Sequence, residues 1–354
     1  KAQFNWAINN SWRFRGGYNR AVRAPNVWEL YRPQGFGLGG SEDICANSPD
    51  TGVPTATLEQ CMRTGVTQAQ YGNIYANPAD QYNTLAGGNP DLTPEIADTI
   101  TAGIVWTPES IRGLSIMADY YFIDITDTVG ALGADDIIQT CANTGDPALC
   151  SLIHRDSLGT LWATTEAYTE TTSHNIGGLQ GEGVDLNGAY LLGLGNTGYL
   201  NMNIVGTYLL KDRFFNPLTD YDCVGYYGNQ CGQPRADWRH RFRASWETNF
   251  NMIFTLAWRY IGKTEIDDAS PDDDLSNPGL MPSWEVNGAA STPAYNWFDL
   301  TAVWALSNGI NFRVGVNNIF DEDPPLFPSL SSTGYTGTYD PLGRWVHLGM
   351  QFNF

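Results

Sequence analysis

Arginine recurs at alternate positions in this chain. WRFRGG carries Arg13 and Arg15, DWRHRFRASWE carries Arg239, Arg241 and Arg243, and NFRVGV adds Arg313. A spacing of two sets these guanidiniums on one face of an extended strand. Guanidiniums in a row call for carboxylates, which they grip two oxygens at a time. Acids from another part of the protein could meet that demand, or the row could bind substrate directly.

Other residues suggest other chemistry. Cys45, Cys61, Cys141, Cys150, Cys223 and Cys231 form three close pairs in stretches rich in Gly, Asn, Asp and Pro. They match no zinc or haem-attachment spacing, so three short-range disulfides, Cys45–Cys61, Cys141–Cys150 and Cys223–Cys231, are expected, and with them an oxidising compartment. IDDASPDDDLSNP (266–278) concentrates aspartates that could hold Ca²⁺ through hard oxygen ligands, but it lacks EF-hand spacing, and a solvated acidic loop is the alternative. Trp28, Tyr31, Tyr71, Tyr75, Tyr82, Trp162, Tyr226, Tyr227, Trp284 and Tyr335 offer rings that could stack on a sugar or planar ligand; for those beside strands the alternative is a membrane-interface girdle. The sequence has no nucleophile elbow, no H-E-x-x-H and no P-loop, and its four histidines are scattered. The glycine run GFGLGG (35–40) reads as a flexible loop. No enzyme and no cofactor is indicated.

The elements that would position these residues are strands. RWVHLGMQFNF alternates Val346, Leu348, Met350, Phe352 and Phe354 with His347, Gly349, Gln351 and Asn353, which is period two. The same parity sets Trp238, Phe242, Ala244 and Trp246 against the arginines. It also collects Met252, Phe254, Leu256, Trp258 and Tyr260, and then Phe298, Leu300, Ala302, Trp304 and Leu306. Counting FNWAI, WRFRGGYNR, ADTITAGIVW, LSIMADYYF, EGVDLNGAYLL, YLNMNIVGTYLL and NFRVGV gives eleven strands. Tight turns (9–11, 108–113, 193–198, 249–251, 306–309) alternate with long loops (21–95, 128–177, 212–236, 264–296, 318–343), and all six cysteines fall in the long ones. No run approaches the ~18 apolar residues of a spanning helix, and mean hydropathy is −0.29. A net charge of −19 argues against a nucleic-acid partner. Few charges, 12 Trp and 38 Gly suit a transmembrane antiparallel β-barrel, with even-numbered residues of these strands facing lipid.

Four segments then resemble one family. RGGYNRAVRAPNVWELYRP (15–33) is similar to a strand followed by a "FRAP" segment, with Val22 where Phe is usual. GGNPDLTPEIADTITAGIVWTP (87–108), GLQGEGVDLNGAYLL (178–192) and GVNNIFDEDPP (315–325) resemble later strands in the same order. The family is that of TonB-dependent outer-membrane receptors, at the C-terminal half of their barrel. The resemblance implies that residues 1–354 are strands twelve to twenty-two of a 22-stranded multi-pass barrel, without the plug domain and first barrel half. It further implies active import of a scarce nutrient, such as an iron chelate or saccharide, energised by TonB with ExbB and ExbD through the plug. Plug carboxylates would meet the arginine row, and Phe354 would be read by the barrel-assembly machinery. A passive diffusion porin and an adhesin or structural barrel are the alternatives. Lys1 is no initiator and strand pattern starts at once, so the chain is expected to begin inside a longer protein, and its first and last strands should not pair with each other.

Overall fold

The computed structural model describes residues 1–40, 43–276, 290–307, 309–325 and 337–352. In chain order the elements begin with β1 (Ala2–Ala7), β2 (Trp12–Arg23), α1 (Val27–Tyr31), β3 (Gly35–Leu38), α2 (Leu58–Arg63), β4 (Asn83–Ala86), β5 (Glu95–Trp106) and β6 (Leu114–Gly130). Next come α3 (Ala134–Thr144), α4 (Pro147–Cys150), β7 (Ile153–His154), β8 (Tyr168–Glu170), β9 (His174–Gly193) and β10 (Tyr199–Phe215). The remainder comprises β11 (Asp220–Asp222), β12 (Tyr226–Tyr227), β13 (Trp238–Glu247), β14 (Met252–Ile261), β15 (Thr264–Ile266), β16 (Ser291–Thr292), β17 (Tyr295–Ser307), β18 (Ile310–Asn317) and β19 (Trp345–Phe352).

Eleven of these strands form one antiparallel meander in the order β1-β2-β5-β6-β9-β10-β13-β14-β17-β18-β19. Each expected strand is there, and no ladder among the described residues joins β1 to β19. Registers keep parity: Phe242 lies opposite Ile204 and Trp258, and Trp258 opposite Phe298. The even face is apolar and bare. Phe4, Trp6, Ile100, Leu186, Leu256, Leu300, Leu348 and Met350 are all exposed on it. So much contiguous apolar surface is stable only against lipid or a partner. Rings gather near the strand ends, with Trp12 stacked on Trp106 at 5.6 Å and Trp258 on Phe298 at 5.9 Å. Trp246, beside the short turn, donates its indole N–H to the Thr197 carbonyl at 3.0 Å, as an interfacial tryptophan must. The 10 residues of β13 between the two belts, at ~3.4 Å each and ~40° of tilt, cover about 26 Å.

Three expectations need correction. Several strands outrun their hydrophobic pattern: β6 reaches Gly130, β9 starts at His174 and β10 reaches Phe215, so the loop expected over 128–177 shrinks to 131–173. Beyond the apolar band the outward positions become Asp124, Gln180, Glu182, Lys211 and Arg213, and alternation disappears while pairing continues. Even parity also breaks at a bulge in β10, where Leu209 pairs with Gly183 but Lys211 with Glu182, because one extra residue flips every later side chain. Finally, GFGLGG is ordered: Gly35–Leu38 is β3, paired with β4.

The long loops fold. Loops 24–94 and 131–173 share the sheet β3-β4-β8-β7, joined across the loops by the parallel pair β4–β8. Under it lies a core of Tyr82, Ile137, Ile138, Leu149 and Leu161. Arg155 of one loop is buried against Asp43 of the other, with side chains 3% and 1% exposed and contacts of 2.6 and 2.9 Å. Across the sheet, β12, β15 and β16 join loops 216–237 and 262–294 over Tyr227, Ile266, Tyr295, Trp297 and Tyr339.

Candidate functional site

The odd face carries the polar chemistry. Arg239, Arg241 and Arg243 stand in line on β13, opposite Thr207, Val205 and Asn203 of β10. On the other flank Arg241 faces Arg259 of β14. Two like charges so placed repel, and acids quench only one of them. Arg259 reaches Asp299 at 3.1 Å and Asp340 at 3.5 Å and lies 5.5 Å over the Trp297 ring. Arg13, Arg239, Arg241, Arg243 and Arg313 are exposed and have no ion pair among the described residues. Arg15 differs, gripping Asp119 in the same wall, with Nε at 2.7 Å. Asp299, Arg259 and Asp119 share the odd face; the parity of WFDLTAVWAL already sets Asp299 there, and that of NMIFTLAWRY and LSIMADYYF was the signal that could have found the other two.

Two cavities of about 380 and 400 Å³ share Thr207, Arg239, Ile261 and Thr338. Arg235 and Tyr121 line the first, Arg241, Arg259 and Trp297 the second. Another cavity, of about 530 Å³, includes Arg15, Asp119 and Asp185. The arrangement is a basic vestibule with aromatic surfaces, suited to a planar or multivalent anion.

The aromatic candidates scatter. Tyr82 and Tyr227 are buried in the two loop cores. Tyr71 donates its hydroxyl to Ala56 at 2.9 Å, and Trp162 donates its indole N–H to the Tyr75 carbonyl at 3.1 Å. Trp28, Tyr31 and Tyr75 are exposed, and Tyr226 packs against the Cys223–Cys231 cluster. The cysteines are bonded as Cys45–Cys61, Cys141–Cys150 and Cys223–Cys231, at sequence separations of 16, 9 and 8. In the acidic loop, buried Asp267 accepts the backbone N–H groups of Gln230 and Cys231 at 2.8 and 3.0 Å. Among the described residues no three His, Cys, Asp or Glu side chains converge as a metal site. Trp284, Tyr335, Phe354 and residues 277–278 lie outside the described residues.

The rim explains two of the quoted segments. Asn26 caps α1, with Glu29 closing the capping box. Arg23 clasps Glu95 at 2.5 and 2.6 Å and Glu29 at 3.1 Å, and it holds the Glu95 carboxyl below the usual carboxylate range. Gly88 and Asn89 donate their backbone N–H groups to the Arg32 and Glu29 carbonyls. A Cβ at Gly88 would lie 2.7 Å from the α1 backbone, so only glycine allows that approach.

An open antiparallel sheet with a bare apolar face, short turns at one end and folded loops at the other defines an outer-membrane barrel wall. The chain belongs to the TonB dependent receptor-like, beta-barrel family, which matches residues 1–319. It is similar in structure to a mutant ferric enterobactin receptor (PfeA) of Pseudomonas aeruginosa (TM-score 0.59, 15% identity, 99% of this chain and 39% of that one). The siderophore receptor PirA of Acinetobacter baumannii is comparable (0.58, 16%, 99% and 40%), as is the FrpB iron transporter of Neisseria meningitidis (0.53, 14%, 99% and 38%). The chain spans about two-fifths of the length of these receptors. No curated protein matches it in sequence.

Proposed function

We propose that this chain is the second half of an outer-membrane barrel, strands twelve to twenty-two, in a receptor that imports a scarce anionic nutrient such as an iron chelate or acidic saccharide. The odd face is then the lumen wall. TonB, with ExbB and ExbD, acts on a plug in the remainder of the receptor. The observation that carries this reading is the row Arg239, Arg241 and Arg243, exposed on the odd face of a family barrel and without an ion pair among the described residues. Family membership supports the energised mechanism, and the bare apolar face supports outer-membrane residence. Uptake of radiolabelled nutrient by cells expressing the receptor tests it. Uptake should cease in a strain lacking TonB and under a proton uncoupler; equal uptake without TonB would establish a passive porin instead.

A further inference from the structure

A third region of the molecule has the opposite electrostatic character. Between the rim ends of β6, β9 and β10 and helices α3 and α4 lies a cavity of about 690 Å³, a size typical of small-molecule sites. Its apolar wall includes Ile137, Leu149, Leu152, Ile176 and Phe215. Its polar groups include Asp127, Asp146, Glu170, Thr172 and His174, with no lysine or arginine among the described lining residues. We infer that this cavity is a binding site for an amphipathic organic cation, an ammonium group on an apolar body, distinct from the arginine-lined vestibule.

Hydrogen bonds hold two of the three carboxylates, and none of the three meets a lysine or arginine among the described residues. Thr172, itself 1% exposed, donates its hydroxyl to Glu170 at 2.7 Å. With that proton committed, His174 Nε2, 3.0 Å from the same hydroxyl, donates its N–H to it. His154 approaches the other Glu170 oxygen only to 4.0 Å. Asp146 gives one oxygen to the Ala148 N–H at 2.8 Å as the cap of α4. Asp127 adopts φ 58°, a conformation uncommon outside glycine and concentrated at functional sites. Asn175 fixes its backbone carbonyl at 2.7 Å, while its carboxylate has no hydrogen bond or ion pair among the described residues. The acids of the rim, Glu95, Asp98 and Asp220, each have an arginine. An apolar pocket edged by three carboxylates, none of them paired with a lysine or arginine among the described residues, selects a cation.

Tryptamine, tryptophol and indole-3-acetate share one body and carry a positive, zero and negative head at pH 7. Calorimetry on the intact receptor in non-ionic detergent should show tryptamine binding at least tenfold more tightly than tryptophol, with no heat from indole-3-acetate. D127N/E170Q keeps Asn, which tolerates positive φ, and keeps an acceptor for Thr172. It should weaken tryptamine at least tenfold, the effect of losing a charge-assisted hydrogen bond. L152W fills the cavity from its apolar side and should abolish binding while all three disulfides stay intact. Equal binding of the three ligands, no tryptamine binding, or tryptamine binding unchanged in both variants would overturn the proposal. These outcomes do not depend on TonB, so the import reading stands or falls separately.

Discussion

Substituting Arg155 by alanine should detach the two-loop cap without unfolding the barrel. Arg155 donates from three nitrogens: to Asp43 at 2.6 and 2.9 Å, to the Thr64 carbonyl and hydroxyl at 3.1 Å, and to Gly159 at 2.9 Å. Asp43 is 1% exposed on its side chain and would keep a buried charge. Breaking one side of such a pair costs about 3–5 kcal/mol. The Cys45–Cys61 bridge within one loop contributes about 3 kcal/mol on the chain-entropy account, so it cannot make good the loss between loops. Amide exchange should therefore quicken by about two orders of magnitude or more over residues 43–86 and 131–170, while β9, β10 and β13 keep their protection and the barrel keeps its heat-modifiable gel mobility. R155M/D43N, which removes the stranded charge, should recover part of the protection. A cap as protected in R155A as in the parent, or a barrel that melts with it, would refute the argument.

Other outcomes follow from the same geometry. Reduction of the three disulfides should raise protease sensitivity in the loops yet leave the barrel folded in detergent, read by non-reduced peptide mass spectrometry and gel mobility. L256R, on the exposed apolar face, should cost about 2–4 kcal/mol in urea unfolding from lipid vesicles, whereas T301R on the odd face should cost little. The Glu95 carboxyl is held below its ordinary range by Arg23, so its contribution to the rim is complete above the unfolded value of about 4.3. That contribution is lost as pH falls through the depressed folded value. Exchange protection of residues 23–31 should thus decline in acid, and E95Q should flatten that decline.

The wall was legible because lipid and lumen impose opposite demands on successive residues. Trp238 to Trp246 and Val346 to Phe352 declare a face by parity alone, and the odd-numbered arginines of β13 fall on the other face by the same count. Legibility ended where the outward environment turned to water: Lys211 and Arg213 extend β10 with no apolar signature. A one-residue bulge after Leu209 is likewise silent in composition. The loops were harder still. Cysteine pairs declare themselves by proximity, but Asp43 and Arg155 lie 112 residues apart, and nothing local marks either as the other's partner. Tyr82 and Tyr227 resembled surface rings because a small core inside a loop has no period to reveal it.

The parallel pairing of β4 with β8 has a consequence for how such a receptor can change. One loop supplies β3 and β4 and another supplies β7 and β8, so neither has a complete sheet of its own. A homologous loop transplanted singly would arrive with an unpaired edge and half a hydrophobic core. The exchangeable unit is the pair of loops, and recombination within residues 95–130, between its halves, should be rarer among viable descendants than recombination outside them. Antibodies raised on peptides from either loop alone should fail against intact cells for the same reason, because the accessible surface is assembled from both.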